Sequence, residues 1–164
     1  MSLLSQRSLK YLVVGLVCLW RLTLAAPIPL EGTKNTRDLG GMPVAGGQLR
    51  SGRLYRSGAL CFATPADVEK LGGLHLSTVV DLRTDQEIAK DGFDRITLGK
   101  NLRLPMKVYH GHGAEAYRSL VLQNPQVLRA FFGLLAKPES YPVIYHCSAG
   151  KDRAGILTAL LLDY

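Results

Sequence analysis

Three cysteines, one tryptophan and 7% aromatic residues are spread over 164 positions. So few cysteines cannot supply the disulfide framework that staples small secreted domains, so an apolar core must hold the chain together. The sequence has no internal repeat, low-complexity tract or heptad pattern, which excludes a solenoid, a disordered tail and a coiled coil. Nor does it carry an unbroken apolar run of the roughly 20 residues that a spanning helix needs. Its four histidines, His75, His110, His112 and His146, show no ligand spacing with cysteines or acids, so neither a metal nor another cofactor is expected. What is present, 47% hydrophobic and 20% charged residues, is the make-up of one globular domain. Lys plus Arg (20) exceed Asp plus Glu (13), giving a net charge of +7. That excess suits anionic ligands without choosing between nucleic acid, membrane and a small acidic group.

The N-terminus reads as an address. Arg7 and Lys10 stand with no acid, Tyr11 to Trp20 is an uncharged, mostly apolar run, and Leu22 to Ala26 ends in small residues. This is the order of a secretory signal. Cleavage after Ala25 places Thr23 and Ala25 at the small-residue positions, although Arg21 between the apolar run and that site is atypical. The expectation is a signal over 1–25 and a domain over 26–164, with no stable membrane span after cleavage. The protein is then secreted or periplasmic, or cytoplasmic if the signal does not function. Cleavage lowers the net charge from +7 to +4 by removing Arg7, Lys10 and Arg21 and no acid.

From Pro27 to Gly58 the abundance of Gly, Pro and Arg predicts turns and short strands. Thr64-Pro-Ala-Asp opens a short capped helix to Leu71. Ser77 to Leu82 is a β-branched run after two glycines and reads as a buried strand, with further strands over Asn101 to Val108 and Tyr141 to Tyr145. Glu115 to Leu122, Gln126 to Ala136 and Ala154 to Tyr164 read as helices, and His110-Gly-His112 as a solvated loop. Strands alternating with helices imply an α/β fold with a mostly parallel sheet flanked by helices.

Val143-Ile-Tyr-His-Cys-Ser-Ala-Gly-Lys-Asp-Arg-Ala-Gly155 places a cysteine at the end of a buried strand and an arginine, after five intervening residues, at the opening of a helix. Small residues at Ser148, Ala149 and Gly150 let successive backbone N–H groups face one point, a cradle for an oxyanion at a helix N-terminus. Thiolates, not thiols, are nucleophiles, and helix N-termini and neighbouring cations favour them. Arg153 adds a planar fork able to hold two oxygens of a phosphoryl group, which a lysine cannot do bidentately. The arrangement suits covalent catalysis on Cys147, with Ser148, Ala149, Gly150, Lys151, Asp152 and Arg153 around the phosphate. His146 reads equally as a satisfied strand-end histidine or as a residue that orients the loop.

This loop resembles the HCxxGKDR loop of the atypical bacterial tyrosine phosphatases. Asn35-Thr-Arg-Asp-Leu-Gly-Gly41, Leu54-Tyr-Arg-Ser-Gly-Ala-Leu60 and Val79-Val-Asp-Leu-Arg83 are similar to three further segments of that family, in the same order. The resemblance implies the cysteine-phosphatase fold, Cys147 as nucleophile and Arg153 as phosphate clamp. It implies action on phosphotyrosine, phosphoserine or phosphothreonine, or phosphoinositides, with phosphorylated protein or lipid as partner and no nucleic acid. A leaving oxygen needs a proton donor. Asp152, within the family's Lys-Asp-Arg triplet, and Asp81, at a strand end facing the same crevice, compete for that role. Asp81 reads equally as a structural carboxylate paired with Arg83. Lys151 is either a second phosphate ligand or a solvated charge. The family usually has Thr or Ser after the arginine, where this chain has Ala154.

Two other classes stay open, a noncatalytic phosphate-binding module and a rhodanese-type sulfurtransferase. Arg37, Asp38, Arg56 and Arg83 are expected in buried or half-buried ion pairs. Little chain follows Arg153, so Ile156, Leu157, Leu160, Leu161 and Leu162 are expected to need cover from a longer C-terminus or a partner chain.

Overall fold

A computed structural model describes residues 25–108 and 113–163. Apart from Ala25, the expected signal lies outside the described residues, as does the His110-Gly-His112 stretch.

The fold is α/β. Its centre is made by the two segments with the densest β-branched and apolar content, Thr78–Asp81 (β5) and Val143–His146 (β7), both buried along their whole length. Strands buried on both faces read as continuous apolar runs. They pair in parallel with each other, and Leu54–Ser57 (β4) and Lys100–Arg103 (β6) flank them, also in parallel. Arg37–Asp38 (β1) closes one edge antiparallel to β4, so the order is β1-β4-β7-β5-β6. A two-stranded hairpin of Pro43–Val44 (β2) and Gly47–Gln48 (β3) stands apart from this sheet. Residues before β1 pair too: the Asp38 N–H donates to the Ala26 carbonyl and the Ile28 N–H to that of Thr36.

Side-chain alternation gives the sheet two different faces. On one, Leu54, Val80, Val143 and Tyr145 meet three helices, Gly113–Leu122 (α3), Pro125–Leu135 (α4) and Asp152–Asp163 (α5), through Leu120, Phe131, Leu135 and Leu157. The Phe131 ring meets Tyr145 edge-on at 5.0 Å, and the buried Tyr145 hydroxyl is satisfied by Thr158 at 2.6 Å. On the other face Tyr55, Val79 and Ile144 pack on Leu60, Leu76, Ile96 and Leu71, the last from Pro65–Gly72 (α1). Full burial contributes roughly 1.5–3 kcal/mol for a side chain such as Phe131 or Leu157.

The local signals explain most boundaries. Thr64 caps α1 as expected, and Asp67 completes the capping box while also accepting the N–H groups of Glu31 and Gly32. The strand expected over Asn101 to Val108 ends at Arg103, because Pro105 has no N–H for the ladder. Likewise β7 starts at Val143, just after Pro142. An unexpected helix, Asp85–Asp91 (α2), follows β5 behind a Thr84–Glu87 capping box. Among the described residues, of the four expected in ion pairs only Arg83 forms them, with Asp81 and Asp94. Asp38 instead accepts the N–H groups of Gly40 and Gly52, Arg37 donates to Asn35, and Arg56 to Thr158. Among the described residues no ion pair involves Asp38, Arg37 or Arg56, since the Asp38 oxygens are already taken by backbone donors.

Along α5, Leu157 is buried, while Ile156, Leu160, Leu161 and Leu162 are half-buried. Among the described residues no helix is long and apolar enough to cross a membrane.

Candidate active site

β7 ends at His146 and delivers Cys147, 2% exposed, to the C-terminal edge of the sheet; Ser148 to Lys151 then turn the chain into α5. The turn depends on Gly150, which has φ of 66°. A Cβ there would sit 2.5 Å from the Gly58 nitrogen and the Ser57 carbonyl carbon, so only glycine fits both the backbone angle and the space. The loop is tied back from outside. The Ala59 N–H donates to the Ser148 carbonyl at 3.0 Å, and Asn35 Nδ2 to the Ala149 carbonyl at 2.8 Å. Asn35, with φ of 59°, is one of two non-glycine residues of positive φ among the described residues.

With the Ser148 and Ala149 carbonyls committed to the scaffold, the N–H groups of Ser148, Ala149, Gly150 and Lys151 have no partner among the described residues. Unpaired N–H groups at a helix N-terminus form an anion cradle. The segments around Asn35 and Gly58, noticed in the sequence only as resemblances, therefore hold the loop in shape.

Arg153, 7% exposed, extends along the loop. Its guanidinium donates to Glu87 of α2 twice, NH1 to Oε2 at 2.7 Å and NH2 to Oε1 at 2.6 Å, and NH1 also reaches the Leu82 carbonyl at 3.2 Å. The Ser148 hydroxyl donates to the same Glu87 carboxylate and accepts from Arg153 NH2. Partial burial would push the Glu87 carboxyl up, but the bonds from Arg153, Ser148 and the Thr84 N–H outweigh it and hold its pKa down at about 2. Glu87 was not foreseen as a site residue. Its only signal in the sequence is the spacing Thr84-x-x-Glu87 at a helix start.

In front of the loop lies a cleft of about 330 Å³, lined by Cys147, Ser148, Asp152 and Arg153 from below and by Ala116 and Tyr117 of α3 from above. Asp152, exposed at the first turn of α5, accepts a hydrogen bond from the Tyr117 hydroxyl at 2.8 Å. Lys151 is exposed. Asp81 does not line the cleft. It is 7% exposed and accepts from the Arg83 backbone N–H at 2.8 Å and from its guanidinium at 2.9 Å.

Behind the loop, fully buried Arg83 joins Asp81 to Asp94 and touches Cys61 Sγ at 3.1 Å. Burial pushes the Cys61 thiol up, with Arg83 opposing. His146, also fully buried, places Nε2 2.8 Å from Asp94, while its Nδ1 finds no partner among the described residues. Asp81, Asp94 and His146 thus come within 4.8 Å of one another, a convergence the sequence spacing of the histidines did not show. The Arg83 guanidinium already bonds both carboxylates, so the cation that balances them is a side chain.

A family model described as "Tyrosine phosphatase family" matches residues 28–164. A Cupriavidus necator protein, provisionally named a tyrosine-protein phosphatase, is 34% identical over 158 residues, covering 82% of this chain and 56% of that one. The triple specificity protein phosphatase PtpB of Mycobacterium tuberculosis is 28% identical, covering 82% of this chain and 62% of its own length. This chain therefore spans less than two thirds of either relative. Among solved structures, TpbA of P. aeruginosa matches with 22% identity over 85% of this chain and 68% of that one, with a TM-score of 0.42.

Proposed function

Because the chain belongs to the tyrosine phosphatase family, we propose that it hydrolyses phosphate monoesters of protein tyrosine or serine and threonine through a phosphocysteine on Cys147. One observation carries this reading: the loop carbonyls are tied to Asn35 and Ala59, while its N–H groups, next to a buried cysteine, have no partner among the described residues. The Cys147 thiolate attacks phosphorus, and the bond from phosphorus to the leaving oxygen breaks. The loop N–H groups and Arg153 hold the equatorial oxygens, whose charge they stabilise in the transition state. Asp152 gives its proton to the leaving oxygen. Water then attacks the phosphocysteine, Asp152 takes a proton from it, and the P–S bond breaks to release phosphate and restore the thiolate.

Asp152 is assigned the acid role over Asp81 because it lines the cleft, whereas Asp81 accepts three donors of Arg83. Exposed Lys151, at the end of the loop, is assigned to a second phosphate, which extends the reading to phosphoinositides. Export by cleavage after Ala25 is proposed alongside, and N-terminal sequencing of protein recovered outside the cytoplasm tests it.

The central test sets a phosphotyrosine peptide, a phosphothreonine peptide and phosphoinositides side by side with the purified chain, and Cys147→Ser as control. Phosphate release from one or more, lost in Cys147→Ser, and acid-trapped label on Cys147 are the expected results. Binding of phosphate analogues with no release from any substrate would favour a noncatalytic phosphate-binding module.

A further inference from the structure

Tyr117 and Asp152 lie 35 positions apart in the sequence and on two different helices, yet one hydrogen bond joins them over the cleft. The ring is 43% exposed, so it contributes little to the core; Ser119 and Leu120 are the buried residues of α3. The hydroxyl donates to Oδ1 of Asp152 at 2.8 Å. Both side chains line the cleft that Cys147 floors. The neighbouring charges are Arg153, whose terminal nitrogens bond Glu87 and Ser148, and Lys151 next in the chain, and neither is bonded to Asp152 among the described residues.

We propose that Tyr117 is a positioning residue for the proton donor: its hydroxyl fixes the Asp152 carboxyl over the cleft with Oδ1 engaged, leaving Oδ2 to carry the proton. This deepens the reading of Asp152 as general acid and rests on it. A carboxyl at the first turn of a helix otherwise rotates freely in solvent, and an acid held out of line transfers its proton poorly. Placing the donor on α3 also joins the cover of the cleft to the group that completes the reaction. Since α3 packs on α5, the bond spans an interface already formed in the fold.

The dependence on leaving group separates this role from a structural one. A phenolate needs the proton far more than a nitrophenolate, so phenyl phosphate reports on the acid and 4-nitrophenyl phosphate mainly on the thiolate and the cradle. In the full chain, Tyr117→Phe keeps the ring and removes the hydroxyl. It is expected to lower kcat/KM, which reports the step in which the leaving oxygen departs, by roughly 3- to 10-fold for phenyl phosphate, the worth of one exposed hydrogen bond, and by less than about twofold for 4-nitrophenyl phosphate. In an Asp152→Asn background the same substitution should be silent. Equal slowing of both substrates, or an unchanged ratio, overturns the proposal while leaving Asp152 as the acid if Asp152→Asn is selective for phenyl phosphate. If Asp152→Asn itself shows no such selectivity, the acid assignment falls and the role of Tyr117 with it.

A second readout needs no turnover. The Asp152 carboxylate holds the Tyr117 phenol above the usual tyrosine range by accepting its hydrogen bond and by its charge. The NMR titration of labelled Tyr117 should therefore move to lower pH in Asp152→Asn, and an unmoved titration shows that the bond is not formed in solution and overturns the proposal.

Discussion

Glu87 and Arg153 face each other with both carboxylate oxygens and both terminal guanidinium nitrogens engaged, at 2.6 and 2.7 Å. The geometry is a fork on a fork, which fixes the plane of the guanidinium as well as its position. Arg153 is nearly buried, so the orientation in which it offers its remaining N–H to a phosphoryl group is set by a residue of another helix. Glu87→Gln preserves shape and removes the charge and one acceptor. The variant should lose on the order of 10- to 100-fold in kcat/KM, the penalty for a misplaced clamp. An unchanged or improved value in steady-state kinetics would show that Glu87 competes with substrate and does not position the arginine.

The same carboxylate makes stability depend on acid. Its pKa falls from an ordinary 4.5 to about 2 on folding, so the folded state favours the ionised form. The sign follows directly: the stabilisation is complete above pH 4.5 and is lost as pH falls from there toward 2. With partial exposure discounted, it amounts to on the order of 2 kcal/mol. Urea midpoints measured down that range should fall more steeply for the natural chain than for Glu87→Gln. Parallel curves would remove Glu87 as the cause.

Gly150 combines a φ of 66° with backbone atoms 2.5 Å from where a side chain would begin. Gly150→Ala must shift either the loop or the Gly58 turn, at a cost of roughly 2–4 kcal/mol. Asn35→Ala removes the bond to the Ala149 carbonyl and a longer one from Arg37, and puts alanine at a φ of 59°, so it should cost roughly 1–2 kcal/mol. Both should weaken inorganic phosphate binding by calorimetry, the first more than the second, because the cradle depends on where those carbonyls are anchored. Full phosphate affinity in a folded Gly150→Ala protein would contradict that account.

What the sequence made legible follows distance along the chain. Strand, loop and helix around Cys147 lie in one stretch of Val143 to Gly155, so apolar run, small residues and arginine spacing could be read together. The central strands were visible for the same reason, being short β-branched runs. Helix α2 escaped because Asp85–Asp91 holds one buried apolar residue, Ile88, too few to establish a helical period. Glu87 escaped with it, although Thr84-x-x-Glu87 is a capping pattern that could have placed the helix start. Tyr117 and Asp94 had no signal at all. Their roles are contacts across 35 and 52 positions, which only the fold creates.

Ala154 follows the clamp directly, at the position where the family that the loop resembles usually carries a hydroxyl. It is fully buried, in the same apolar cluster as Cys147 and Leu157. A hydroxyl there would donate to the cysteine sulfur as it leaves phosphorus, stabilising the thiolate in the second step and not in the first. With alanine, phosphoenzyme formation should be normal and its breakdown slow, seen as a burst of product followed by a slower steady state. Ala154→Ser adds one oxygen without branching and should raise the steady-state rate several-fold while shrinking the burst. Ala154→Thr adds a further methyl to a closed cluster, so it should show the same kinetic gain with lower stability, by roughly 1–3 kcal/mol. Rapid turnover of the natural chain with no burst, unchanged in either variant, would show that resolution does not depend on this position.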